Sequence, residues 1–299
     1  MSIFWRRLRL TLDMIRFEHS VFALPFALTG ALLAWRDSGF HIPGLAWRFV
    51  WILVAMVSAR SAAMAFNRIL DADIDARNRR TAARHLPAGL LSVRFAWGFT
   101  AISSLLFLIA ARQLGFWCLV LAPVVLATLF FYSFSKRFTL FSHLILGFCL
   151  GMAPAAAWIA MRGALDGRIL WLTAAVMFWT AGFDVIYACQ DFEFDRSEGL
   201  YSIPKRFGIG GALTIARLLH VAMIVSLVAL AVSFHLGPLS VAGIVAVVLL
   251  LIYEHGLVKA HDLSRVNAAF FTVNGYVSLL FFAFWAADIL LQHDYFFRS

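Results

Sequence analysis

Long apolar runs, each broken by charge, glycine or proline, dominate this chain. They fall at residues 18–35, 45–66, 92–111, 115–133, 139–161, 168–189, 210–234, 236–258 and 264–290. Each is near the ~20 residues that a helix needs to cross a bilayer. None alternates as a membrane strand would, and each is about twice a strand's length. The pattern predicts an all-α polytopic membrane protein with nine transmembrane helices.

Composition agrees. Of 299 residues, 63% are hydrophobic and 14% charged, with 30 Phe, 10 Trp and a mean hydropathy of +0.86. Ordinary domains run at about 45–50% apolar and about 25% charged. Disorder is excluded, and nine spans leave no room for a large extramembrane domain. The net charge of +9 would suggest a nucleic-acid partner in a soluble protein. In a membrane chain it follows from the positive-inside bias, so no nucleic acid is expected.

Most Lys and Arg lie at the N-terminus and in the loops after the second, fourth, sixth and eighth spans. Arg36, Arg48, Arg112, Arg162, Arg168 and Arg298 belong to the other face. This asymmetry predicts that the N-terminus and the charged loops are cytoplasmic and the C-terminus outside; the expected location is the bacterial inner membrane. No small-residue cleavage site follows the N-terminal charges, so the first span is expected to be retained. Cys118, Cys149 and Cys189 are isolated and show no metal or redox spacing. His220, His235, His255 and His261 lack the spacing or acidic partners of a zinc site. GIGG at 208–211 starts a helix without the strand context of a nucleotide fingerprint.

Two cytoplasmic loops, 67–89 and 190–208, are longer and more acidic than the rest. In the first, Asn67, Asp71 and Asp75 step by four, drifting only about 40° per step around a helix, so they share a face. Asp73 falls off that stripe. In the second, Asp184, Tyr187, Asp191 and Asp195 share a face while Glu193 points away. An offset of 120 residues carries Asn67, Asp71 and Asp75 onto Tyr187, Asp191 and Asp195. This suggests one domain over residues 1–299 with an internal repeat, helices 1–4 and 5–8, followed by helix 9.

Carboxylates one helical turn apart repel unless a cation lies between them. Hard oxygen donors suit Mg2+, which is held by one or two carboxylates plus a substrate phosphate. Two facing stations of this kind would clamp a diphosphate, with nearby Arg and Lys on its remaining oxygens. Solvated acidic helix ends are the simpler reading of one such motif; two copies on one membrane face argue against it. A transporter of divalent cations or organic anions would also place Asp and Arg within a helical bundle. Against that reading, the acidic groups cluster at the cytoplasmic end. A scaffold would need no matched stripes.

At these residues the chain resembles the UbiA family of intramembrane aromatic prenyltransferases. The family's NDxxDxxxD motif is matched by Asn67, Arg68, Asp71 and Asp75, and its DxxxD motif by Asp191 and Asp195 within YACQDFEFD. RTAARHLPAG (80–89) is similar to the family's basic RTxxRPLPSG segment, and YSFSKR (132–137) to its YxxxK loop. Arg60 matches an arginine that precedes the first motif in many relatives. The similarity spans helices 1 to 7, and NAAFFTVNG (267–275) in the ninth run is also similar. Arg68 stands in place of the usual Asp, removing an acidic group from the first station; His85 and Ala88 replace Pro and Ser. The opening RFEHSVFALPFA (16–27) differs from the RLDKPIG of ubiquinone-pathway members. It is closer to the 4-hydroxybenzoate polyprenyltransferase-like branch implicated in menaquinone synthesis through futalosine.

The resemblance implies nine helices around a central cavity open to the cytoplasmic side. The implied partners are a polyprenyl diphosphate and an aromatic acid, with no obligate protein partner, and the prenyl group passes to the acid's ring. Asp71, Asp75, Asp191 and Asp195, helped by Asn67, are then Mg2+ ligands. Arg80, Arg84, Lys136, Arg137, Lys205 and Arg206 stabilise the departing diphosphate, and Tyr132 belongs to the same loop motif as Lys136. Arg16 and Arg60 are candidates for the acid's carboxylate: Arg60 lies within a span, where charge is expensive, while an interfacial anchor is the other reading of Arg16. Asp184 and Tyr187 orient the ring or shield the cation. The proton acceptor is open between the diphosphate and a motif Asp. Both 4-hydroxybenzoate, for ubiquinone, and a dihydroxynaphthoate-type acid, for menaquinone, fit as acceptor. Most of the aromatic residues are expected to face lipid or the interface.

Overall fold

The computed structural model describes residues 3–15 and 20–296. Among these it is helical, with no strand beyond a bridge between Lys259 and Asp262. In chain order the helices are α1 (Ile3–Met14), α2 (Ser20–Asp37), α3 (Leu45–Leu70), α4 (Ala72–Arg77), α5 (Val93–Leu114) and α6 (Phe116–Ser135). They continue as α7 (Ser142–Arg162), α8 (Leu170–Ala188), α9 (Phe192–Ser197), α10 (Ile203–Ser233), α11 (Pro238–Leu257) and α12 (Asn274–Phe296). A π-helical turn, Ala268–Val273, leads into α12.

Among the described residues, eight helical stretches are long and apolar enough to cross a membrane, and they coincide with eight of the nine expected spans. The remaining expectation, 18–35, falls on α2, an apolar helix of 18 residues closing on Arg36 and Asp37. The chain is thus a multi-pass membrane protein. Two differences matter for the site. The expected loops 67–89 and 190–208 contain the short helices α4 and α9. The expected span 210–234 begins earlier, because Ser202 caps a first turn and Gly208, at φ 70° and ψ 168°, kinks the helix behind it.

The chain divides into two compact units, one of Met1–Ser20 with Val50–Phe134 and one of Val21–Phe49 with Ser135–Ser299. In the first, Met14 and Ile15 at the end of α1 are buried with Ala65 of α3, Ala96 of α5, and Leu86 and Leu91 of the intervening segment. α1 is a short helix carrying exposed arginines and Trp5, too polar to span and suited to the membrane interface. A second core joins Ala62, Phe107, Ala111, Ala122 and Leu126 of α3, α5 and α6.

In the second unit α8 packs against both α7 and α10 and carries the deepest core, including Leu172, Val176, Trp179 and Ile186. Gly147 and Gly151 form a GxxxG pair on α7. A Cβ on Gly147 would strike the Met177 carbonyl, and one on Gly151 would lie 2.6 Å from the Thr173 carbonyl of α8. The helices approach this closely because those positions carry no side chain. Phe22 and Phe26 of α2 pack on Trp179 of α8. Asp288 of α12 caps α11, accepting the Gly237 and Leu239 N–H groups at 2.7 and 3.3 Å and the Ser240 hydroxyl at 3.0 Å.

Candidate active site

The first acidic ladder lies in the first unit. α3 ends at Leu70 and α4 starts at Ala72, yet the backbone repeat of four survives the junction. Asp71 N–H donates to the Asn67 carbonyl at 3.0 Å, and Asp75 N–H to the Asp71 carbonyl at 2.7 Å. Asn67, Asp71 and Asp75 therefore stay in ladder order, and the Asn67 amide donates to Asp71 Oδ2 at 2.9 Å. Asp75 is only 6% exposed, whereas Asp73, expected off the stripe, is exposed.

After α4 the chain turns back on itself. Asn78 Oδ1 accepts the Arg80 N–H at 2.9 Å, and the Thr81 hydroxyl donates to the Asp75 carbonyl at 3.1 Å. Burial of Leu86 and Leu91 then anchors the segment on the α1–α3 core. This turn brings Arg84 to Asp75, its Nη1 lying 2.7 Å from both carboxylate oxygens. Arg84 is thus the charge partner of Asp75, a role the sequence did not suggest. Arg68, where the family's usual Asp is absent, donates from Nε to the Met14 carbonyl at 3.3 Å and ties α3 to α1. Arg80 is exposed, and Arg60 and Tyr132 are half-buried on α3 and α6. Arg16 lies outside the described residues.

The second ladder lies in the second unit. A tight turn, Cys189–Asp191, joins α8 to α9. Asp191 and Asp195 are 7% and 2% exposed, while Glu193 faces solvent as expected. Asp195 Oδ2 is buried with no hydrogen-bond partner among the described residues. A buried carboxylate oxygen without a donor is costly, and a bound cation is one remedy.

Around this ladder the unit gathers further groups. The Tyr201 N–H donates to the Lys136 carbonyl at 2.8 Å, and the Lys205 ammonium lies 5.5 Å from the Tyr201 ring centroid. Lys136 and Lys205 are thereby joined through Tyr201. Arg137 and Arg206 are exposed. The Tyr187 ring packs against Phe270 of the π-helical turn, centroids 4.2 Å apart and planes tilted by 37°. Asp184 Oδ2 lies 2.7 Å from His143 Nδ1, and the His143 ring is fully buried.

Sequence reading missed His143. It also missed a buried chain in which the Trp179 indole donates to Asn274 at 2.6 Å and the Asn274 amide donates to Glu254 at 2.8 Å. The signal to be found was polar residues inside apolar runs, which a membrane tolerates only for a reason. His220 has the acidic neighbour that the sequence did not reveal: Glu254 lies 3.9 Å from it, and His255 3.0 Å. Among the described residues, no group of three or more His, Cys, Asp or Glu is arranged to hold a metal by itself.

The chain is a helical multi-pass protein with an Asp ladder at the ends of two spans, and similarity to known proteins gives its family. The model described as the UbiA prenyltransferase family matches residues 23–290, and the chain belongs to that family. Among relatives, it is 31% identical over 248 residues to 4-hydroxybenzoate octaprenyltransferase of Vibrio vulnificus, covering 80% of this chain and 86% of that one. Among solved structures, a UbiA homolog from Aeropyrum pernix K1 in its apo form superposes with a TM-score of 0.81 at 35% identity, over 91% of this chain and 98% of that one. A UbiA homolog from Archaeoglobus fulgidus bound to GPP and Mg2+ shares the fold, with a TM-score of 0.72 at 21% identity over 94% and 99% of the two chains. The chain is a prenyltransferase, and the transporter reading is set aside.

Proposed function

We propose that the protein transfers a polyprenyl group from its diphosphate to the ring of an aromatic acid, as a step in ubiquinone or menaquinone synthesis. The observation that carries this is the second ladder: two carboxylates almost wholly buried at the end of a membrane helix, one with an oxygen that no protein donor among the described residues satisfies. The name of the Vibrio relative supports an aromatic acid as acceptor, and the ligands of the Archaeoglobus homolog support a prenyl diphosphate with Mg2+.

The residues present fit Mg2+. All the donors are hard oxygens, two carboxylates per ladder with an amide oxygen at Asn67, and the orphaned Asp195 Oδ2 calls for a cation. Asn67, Asp71 and Asp75 would hold it in one ladder, and Asp191 and Asp195 in the other. When bound, Mg2+ supplies the charge neutralisation that makes diphosphate a leaving group.

The chain's own side chains do the rest. Arg84 commits only Nη1 to Asp75, so Nη2 and Nε remain to bind phosphate oxygens. Arg80, Lys136, Arg137, Lys205 and Arg206 add positive charge for the departing diphosphate. Arg60 and Arg16 serve the acid's carboxylate, Tyr132 contributes from the same loop motif as Lys136, and Tyr187, braced by Phe270, orients the ring. The apolar tail takes the hydrophobic interior. We place the protein in the bacterial inner membrane with its N-terminus and motif segments cytoplasmic, as one prenyltransferase domain built on a duplicated helical unit.

The experiment is prenyl transfer by the purified protein with farnesyl diphosphate and Mg2+, offered 4-hydroxybenzoate and a dihydroxynaphthoate in parallel. A ring-prenylated product from one of them is expected and identifies the acceptor; no product from either acid overturns the proposal.

A further inference from the structure

We propose that Asp184 is the base that removes the ring proton, and that His143 is the positioning residue that holds it for this task. The inference rests on the prenyl-transfer reading above and deepens it by giving the proton an owner.

The geometry begins with a carboxylate inside a membrane-spanning segment, where an ionisable group is expensive and usually functional. Asp184 lies on α8, roughly 10 Å along the helix axis before Asp191 at 1.5 Å per residue. It is therefore set deeper than the diphosphate ladder, with Tyr187 between them on the same face. Its side chain is 15% exposed, while that of His143 is fully buried.

The hydrogen bonding assigns the imidazole's state. His143 Nδ1 is 2.7 Å from Asp184 Oδ2, and His143 Nε2 is buried with no hydrogen-bond partner among the described residues. An N–H on Nε2 would lack an acceptor there, so Nδ1 is the nitrogen placed to donate its N–H to Asp184. One carboxylate oxygen is fixed by this bond, and Oδ1 takes no other hydrogen bond among the described residues.

The competing carboxylates are engaged elsewhere. Asp75 faces the Arg84 guanidinium through both oxygens, Asp71 takes the Asn67 amide, and both belong, with Asp191 and Asp195, to the proposed Mg2+ ligands. Asp184 has only the His143 imidazole against it among the described residues.

The step balances. The bond between the prenyl carbon and oxygen breaks, and its electron pair leaves with the diphosphate. A ring carbon forms the new carbon–carbon bond. The ring C–H bond at that carbon then breaks, its pair restores the aromatic sextet, and the proton goes to Asp184 Oδ1.

The test uses the full-length protein in lipid nanodiscs, with farnesyl diphosphate and ring-deuterated or unlabelled forms of both acids. Asp184→Asn should still bind farnesyl diphosphate as the unchanged protein does, but lose about 100-fold or more in kcat. It should also acquire a normal primary isotope effect on the ring position, because proton removal becomes the slow step. His143→Leu should show the same signature in weaker form, and His143→Asn, which can restore an N–H donor near Nδ1, should recover much of the rate. A merely structural pair would lower rate or stability without creating a ring isotope effect. The inference is overturned if Asp184→Asn turns over at the original rate, or if the slowed variants consume deuterated and unlabelled acid equally. Failure of the unchanged protein with both acids is a different result: it overturns the functional reading, and this inference with it.

Discussion

Asp71 and Asp191 occupy the same place in the backbone: each is the residue before a six-residue helix, at φ/ψ of −91°/1° and −96°/8°. The 120-residue offset between the two motifs carries α4, Ala72–Arg77, onto α9, Phe192–Ser197, end for end. It also carries Asp73 onto Glu193, and both are exposed. The correspondence therefore extends from three side chains to the local fold that presents them. In each ladder the short helix turns the acidic residues that follow the span back into register, so that Asp75 and Asp195 are buried rather than solvated.

The Asp75–Arg84 pair should be worth more than an ordinary surface ion pair, because Asp75 is nearly buried and only Arg84 keeps partial exposure. Arg84→Gln is expected to lower unfolding stability by about 1–3 kcal/mol, the range for leaving a buried charged group short of its partner, discounted for that exposure. Thermal unfolding in detergent measures this, and the KM for the prenyl diphosphate should rise in the same variant.

Close packing of α7 on α8 depends on Gly147. Gly147→Ala should destabilise by about 1–3 kcal/mol, since the added carbon meets the Met177 backbone rather than a flexible side chain. Gly98 in α5 faces open space, with nothing within 4 Å of where a methyl group would sit, so Gly98→Ala should instead stabilise by roughly 0.5–1 kcal/mol. Paired thermal melts separate the two signs.

Asp288 should matter far from the chemistry. Asp288→Ala leaves the first N–H groups of α11 and the buried Ser240 hydroxyl without their acceptor. A loss of about 1–2 kcal/mol is expected. Unfolding should report it, with KM for both substrates unchanged.

The sequence foretold the spans because crossing a bilayer requires ~20 apolar residues in a row, a signal that hydropathy carries directly. It also foretold which acidic residues turn inward: Asp73 and Glu193 fall off stripes that the repeat of four defines, and both are exposed. Three things escaped it. α1 is amphipathic and short, so an apolar-run search passes over it. The roles of Arg84 and Arg68 depend on how Leu86, Leu91 and Met14 are buried together, a tertiary event with no local pattern. His143 meets Asp184 only because α7 and α8 lie side by side, and nothing in spacing along the chain relates the two residues.

The central claim is that both Asp ladders serve the leaving diphosphate. The most direct test is the rate of ring prenylation by Asp71→Asn and Asp191→Asn, each alone, beside Asp73→Asn and Glu193→Gln. Each ladder variant should fall by about 10²–10³-fold, the scale for losing one preorganised charge-stabilising group. The two exposed variants should stay near the original rate. Full activity in either Asp71→Asn or Asp191→Asn, with Mg2+ present, would contradict the account.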